Sequence, residues 1–471
     1  MSSALVVGSG PNGLACAATL ASRGVAVTVI EAAEQIGGGT RTSELTLPGL
    51  LHDECSASHP IAVGSPALAA LELGRHGLEW AWAEVDLAHP LDIGPAAVMV
   101  RSIEETAAGL GEAGAAWRRL FEPSSRAFGE LCDDILRPIT HVPEHPLALT
   151  RFGVRALAPA AALARALPGA PAKALFAGVA AHGFSSFGLP FSSAPGMALI
   201  CACHRFGWPV AKGGSGAIAA ALAAVVREGG GTIETGRRVR SLAELPDADA
   251  VFLDLAPAAV VELAGGRLPS RVARAYRRYR HGPGAFKLDF AVAGGIPWRD
   301  EVCRRAGTVH AAGGYEEIAR GEREINRGRM PERPFVLVGQ QYLADPSRSE
   351  GDVHPIWAYA HVPSGYTGDA TGATLDQIER FAPGLRERIV SPVVTRTPAE
   401  FAAGNPNYVG GDIITGANTP LQTVIRPRPA VDPYATGIPG VYICSAATPP
   451  GAGAHGMGGY NAALSALRHL P

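Results

Sequence analysis

The chain has 471 residues, enough for two or three domains or one large composite one. Hydrophobic residues make up 47% and charged residues 18%, which supports a sizeable core and excludes a disordered chain. With 41 Lys and Arg against 43 Asp and Glu, the formal charge is −2; no basic excess exists for a nucleic-acid backbone, and the acidic excess is too slight to predict a partner.

The 58 glycines and 38 prolines follow no collagen-like period and predict many tight turns. Seven cysteines occur, an odd number with no CxxC spacing. That pattern predicts buried thiols in a reducing, cytoplasmic setting and argues against a disulfide framework or a zinc ribbon; no metal site is expected. The first residues enter a strand directly, without a basic signal-peptide region. From Ala174 to His204 no Asp, Glu, Lys or Arg occurs, yet Gly178, Gly183, Gly188 and Pro190 interrupt the stretch. Broken helices around an apolar cavity are expected there, with a lipid-touching surface as the second reading.

In chain order, residues 4–8 (ALVVG) read as a strand buried on both faces. Helical spacing follows from Pro11 to Ser22, then a second buried strand from Val25 to Ile30, closed by Glu31. This is a βαβ unit. Residues 66–205 read as mainly helical. Residues 213–230 are a glycine turn, an Ala-rich helix and a glycine stop. Strands are predicted at Thr232–Glu234, Ala250–Leu255, 285–293, 335–343, Trp357–His361 and Val441–Cys444. A glycine-rich turn and a last helix over about 456–469 close the chain.

Three glycine motifs carry chemistry. In V-V-G-S-G-P-N-G, Gly8 permits the tight turn, Gly10 lets backbone approach a pyrophosphate and Gly13 lets helix pack on strand, with Pro11 and Asn12 opening the helix. Glu31 stands where a ribose-binding carboxylate is expected, followed by Ala32, and its charge disfavours a 2′-phosphate. In the second motif, Gly37–Gly39 allow a loop to fold over a diphosphate, to which Arg41 adds charge. The third, P-P-G-A-G-A-H-G-M-G-G-Y-N from Pro449, opens the final helix, whose N-terminus suits negative charge on a reduced flavin ring.

With TLPGLLHDECSASHP (46–60), WAYAHVP (357–363) and NPNYVGGDI (405–413), these motifs make the chain resemble, over nearly its whole length, the phytoene desaturase-like FAD oxidoreductases. Within them it resembles the phytoene dehydrogenase-related, pyridine nucleotide-disulfide oxidoreductase domain-containing branch of the amine oxidase/FAD superfamily. The resemblance implies an α/β fold with a Rossmann-like FAD-binding domain of glutathione reductase type, assembled from segments 1–50, 206–270 and 419–471. A mixed α+β substrate domain, segments 51–205 and 271–418, is interleaved. It implies FAD as cofactor, with Gly8, Gly10 and Gly13 on the pyrophosphate, Glu31 on the ribose, Gly38 and Arg41 along the diphosphate, Val239 beside the adenine, and Gly456, Met457 and Gly458 facing the flavin pyrimidine. Relatives carry a β-meander between the equivalents of Val239 and Val251; here only RSLAELPDADA lies there. Such trimming predicts weaker FAD retention or an open surface for a partner.

The expected activity is desaturation or oxidation of a largely apolar small molecule, by hydride transfer to flavin N5. Oxygen, a quinone or another acceptor would take the electrons. An amine oxidase, a redox-neutral isomerase using reduced FAD and a non-catalytic FAD-stabilised binding protein are the alternatives. The candidate catalytic groups are Lys287, His455 and His59. In GAFKLDFAV, Phe286, Leu288 and Phe290 share one strand face, leaving Lys287 and Asp289 on the other, either near flavin N5 or as an ion pair on a solvated face. His455 lies in the third glycine motif, as acid, base, donor or a pin for the loop. No nucleic-acid partner is expected; peripheral contact with the inner membrane face is compatible with a lipophilic substrate, and the oligomeric state is open.

Overall fold

The computed structural model describes residues 2–470. Its first sheet is five-stranded and wholly parallel, in the order Val441–Ile443, Ala250–Leu253, Ser3–Val7, Ala26–Ile30, Thr232–Glu234. The central strand Ser3–Val7 is flanked on both sides, which explains its unbroken apolar run. Strands from the beginning, middle and end of the chain thus share one sheet. Helix Pro11–Ala21 starts on a proline, whose missing N–H costs nothing at that position. It packs against the final helix Met457–Ala466 and against Gly216–Glu228. Glycine permits the first approach: a Cβ on Gly459 would fall 1.7 Å from the Asn12 carbonyl oxygen. Beyond Thr232–Glu234 no strand forms up to Asp249, only the short 3-10 turn Leu242–Glu244.

The second sheet has seven strands, in the order Val394–Arg396, Gly284–Ala293, Val353–Val362, Val336–Gly339, Ala306–Ala311, Val85–His89, Ala97–Met99. All neighbours are antiparallel except Ala306–Ala311 with Val85–His89. One face, with Phe286, Leu288 and Phe290, packs on Leu375 and Phe381. The other, with Leu337, Trp357 and Tyr359, packs on helices Ala170–Ala181 and Ala194–Phe206. The charge-free stretch is therefore two helices broken around residues 182–193, and no helix among the described residues is long and apolar enough to cross a membrane.

Three expectations need correction. Residues 66–205 are not uniformly helical, because Val85–His89 and Ala97–Met99 join the second sheet. Strand 335–343 stops at Gly339, where a 3-10 turn, Gln341–Leu343, takes over. The Lys287 face of its strand is buried, because Leu51–Asp53 and Cys55 lie against that side; Lys287 is 1% exposed.

Candidate functional site

The strand Ser3–Val7 delivers Gly8, at φ 101°, into the loop before helix Pro11–Ala21. A Cβ on Gly13 would lie 2.2 Å from the Gly8 carbonyl oxygen, and one on Gly10 would lie 2.6 Å from Asp254 Oδ2. Gly38 packs against this loop, its Cβ position 3.0 Å from Gly10 Cα. At Gly10, Gly13 and Gly38 the loop therefore has no room for a side chain and presents backbone.

Glu31 is buried at the end of strand Ala26–Ile30. Its Oε2 accepts from Ser9 N (2.8 Å) and Ser9 Oγ (2.6 Å), and its Oε1 accepts from Ala33 N (2.8 Å). Arg41 Nη2 stands 3.7 Å from Glu31 Oε1, while its Nε donates to Gln35 O and its Nη1 to Gly404 O. Glu31 and Arg41 are thus adjacent. Ala32 is exposed beside them, and Val239 packs half-buried on the Val7 and Leu253 cluster. Across the loop, Asn12 Oδ1 accepts from Gly458 N (3.1 Å) and so caps the final helix, which Gly456 enters at φ 69°.

A cavity of about 540 Å³ begins at this loop, where Gly10, Pro11 and Asn12 form its wall. It runs past Ser445 and the 451–455 turn to Trp357 and Tyr359 on the second sheet, whose rings stand perpendicular at 5.1 Å. The remaining wall is largely apolar, with Ile135, Phe152, Leu199 and Ile414. Ligands of open parallel sheets lie beyond the carboxyl ends of the strands, which is where this cavity starts.

His59 and His455 both line it and Lys287 does not. Ser215 Oγ donates to the Ser56 carbonyl (2.6 Å), so it accepts from His59 Nε2 (2.8 Å), and His59 Nδ1 carries the lone pair. His455 Nδ1 accepts from Met457 N (3.1 Å), so its Nε2 carries the proton and the ring pins the glycine turn. Burial pulls both imidazoles down to about 4, which leaves them neutral at pH 7. One offers an acceptor and the other a donor. Lys287 pairs with Asp289 under the Trp357 ring, its Nζ 6.0 Å from the ring centre, and burial lowers its pKa against the pull of that carboxylate. Asp289 Oδ1 is also 3.3 Å from His52 Nδ1. His204, in the CxCH run, accepts from Trp117 Nε1 (3.0 Å), while its Nδ1 meets the Val100 carbonyl (3.0 Å). All seven cysteines are buried and unpaired.

Sequence reasoning missed three groups. Asp254 follows strand Ala250–Leu253 and lines the cavity at the glycine loop; burial and then the Glu31 charge push its carboxyl up to about 7. Its signal was an acid directly after a buried parallel strand. Asn407, from the NPNY run, donates to Asp254 O (2.9 Å) and accepts from Ala256 N (2.7 Å), fixing that corner. Arg426 lines the cavity beside Gly451 but lies outside the glycine motifs in sequence and has no local signature.

A sequence profile of NAD(P)-binding Rossmann-like domains matches residues 6–70. No curated protein sequence matches the chain significantly. Among solved structures, an oxidoreductase from Methanosarcina mazei is similar at TM-score 0.65 and 15% identity, over 99% of this chain and 100% of that one. Putrescine oxidase bound to putrescine gives 0.63 and 17%, over 99% of each chain. A putative protoporphyrinogen oxidase from Exiguobacterium sp. 255-15 gives 0.56 and 15%, over 99% and 98%. At such identities the likeness is one of fold, and the fold is that of a Rossmann-like dinucleotide-binding domain joined to a mixed-sheet domain.

Proposed function

We propose that the chain is an FAD-dependent oxidoreductase that desaturates or oxidises a largely apolar small molecule, as its resemblance to the phytoene desaturase-like proteins implies. The observation that carries this reading is the continuous cavity from the glycine loop to the aromatic face of the second sheet. Gly8, Gly10 and Gly13 would hold the pyrophosphate by backbone, Glu31 the ribose, and Arg41 the diphosphate charge. A bound flavin supplies the two-electron acceptor. The chain itself supplies a largely apolar wall, a lone pair at His59 Nδ1 and a proton at His455 Nε2.

Exposed Ile139, Val142, Leu147 and Leu421 are near in sequence to Leu136, Phe152 and Thr423 of the wall, which supports loading from a lipid surface. The perpendicular Trp357–Tyr359 pair favours amine oxidation as a second reading. Against it, Asp254 is the one carboxylate on the described wall, and it stands at the glycine loop. Visible absorption of the purified protein, followed by denaturation and identification of what is released, tests the cofactor. A flavin spectrum with free FAD is expected; a colourless protein that FAD cannot reconstitute overturns the proposal. Anaerobic bleaching by apolar against amine substrates then separates the two readings.

A further inference from the structure

Three arginines are buried: Arg41, Arg348 and Arg426. Arg348 is paired with Asp53 (2.6 Å) and Asp345 (3.2 Å), and Arg41 stands beside Glu31. Arg426, at 5% exposure, has no carboxylate partner among the described residues. Its Nε donates to Gln422 O (3.1 Å) and its Nη2 to Asn418 Oδ1 (3.1 Å), both neutral. Those supports are themselves fixed: Asn418 Nδ2 donates to Gly183 O (2.9 Å), and Gln422 Nε2 to Arg280 O (2.8 Å). Nη1 is left without a protein acceptor and lies toward the 451 turn, where a Cβ on Gly451 would sit 2.7 Å from it.

A guanidinium does not deprotonate in a protein, and an unpaired buried cation is strongly destabilising. Held in place by neutral groups, Arg426 keeps one edge of its fork for an anion that the chain does not provide. It is the one arginine or lysine on the described cavity wall, and it shares that wall with Leu199, Ile413 and Ile414. The diphosphate of the proposed dinucleotide would have its own groups around Gly10 and Arg41, which Arg426 does not hydrogen-bond.

We propose that Arg426 receives the carboxylate head of the substrate, so that the cavity takes an anionic amphiphile with an apolar body. This rests on the reading of the cavity as a substrate site. A planar fork matches a carboxylate with two parallel N–H donors, and neither an alcohol nor an ammonium can use it. The residue therefore sets specificity and orients the chain of the substrate without touching the reacting carbon.

The test uses the full-length purified protein and three matched probes: decanoate, 1-decanol and decylamine. Binding is followed by tryptophan emission, since Trp208 and Trp357 line the cavity, and it needs no turnover. Decanoate is expected to bind at least about tenfold more tightly than either neutral or cationic probe, the margin of a charge-assisted pair. Arg426→Met removes the margin, and Arg426→Lys keeps part of it. Equal affinities for the three probes in the native protein overturn the proposal, whatever the variants do. So does a margin that survives Arg426→Met. If Arg426→Met instead loses flavin or shifts its reduction potential while the margin persists, the anion is the reduced cofactor and the substrate assignment fails. Flavin content is measured separately, so a colourless protein that still prefers decanoate refutes the oxidoreductase reading alone.

Discussion

Asp254 Oδ2 accepts a hydrogen bond from Gly13 N at 3.0 Å, which ties the end of strand Ala250–Leu253 to the first turn of the glycine-loop helix. On the proposed reading a diphosphate would approach this carboxyl, which burial raises to about 7. Protonated, it tolerates the anion; ionised, it repels it. FAD affinity is therefore expected to weaken above pH 7, by up to about tenfold per pH unit, and Asp254→Asn is expected to be flat over the same range. Equilibrium dialysis of FAD between pH 6 and 8.5 checks both slopes.

Gly10→Glu places a carboxylate against Asp254 Oδ2 and in the cavity wall. Loss of flavin is expected with the fold retained, measured as released FAD per mole alongside circular dichroism. A variant that keeps its flavin removes the loop from the cofactor site. Gly13→Ala is expected to be worse for stability, because its Cβ meets backbone 2.2 Å away and cannot be relieved by a side-chain rotation.

Lys287→Met leaves Asp289 charged and buried. A loss of about 3–5 kcal/mol in urea unfolding is expected, with much of it recovered in the Lys287→Met/Asp289→Leu double variant. Reoxidation of the bound flavin by oxygen is measured on the folded single variant at low temperature. A tenfold slower rate at full flavin content assigns the ammonium a role at the flavin; an unchanged rate leaves it a structural partner of Asp289.

Several histidines are buried neutral. Burial draws His59, His89, His204 and His455 down to about 4 and His182 to about 3. His182 Nε2 and His310 Nε2 face each other at 3.0 Å, and Gly178 makes room for His310 and His89, whose Nδ1 atoms would lie 2.4 and 2.8 Å from its Cβ. Between pH 6.5 and 4 the unfolded chain binds more protons at these sites, so stability rises with pH across that window and is lost on acidification. Asp254 and Asp86, raised to about 7 and about 6, act in the opposite sense but are fewer. Urea midpoints at pH 5 and pH 7 check the sign, and His89→Gln is expected to reduce the slope.

What the sequence made legible was local. Gly8, Gly10 and Gly13 are spaced within one turn, and the alternation around Lys287 needs only the period of a strand. The burial of Lys287 was not legible, because the covering segment, His52 to Cys55, lies more than two hundred residues upstream. Asp254 meets Gly13 across 241 positions, and the Asn407 bond to Asp254 spans 153. Nor did Arg426 stand out, since an arginine announces itself only by the carboxylate it lacks in space. The strand Val85–His89 was hidden for a related reason: it is short, and its parallel partner Ala306–Ala311 lies over two hundred residues away.

The bond from Gly458 N to Asn12 spans 446 positions. The glycine loop and the helix it caps therefore meet only after all the residues between them have been made. A dinucleotide held by both would load only once Met457–Ala466 has docked, and a high density of such long-range contacts makes that closure slow. On the proposed reading, flavin supplied during refolding, and not only during translation, sets the yield of coloured protein.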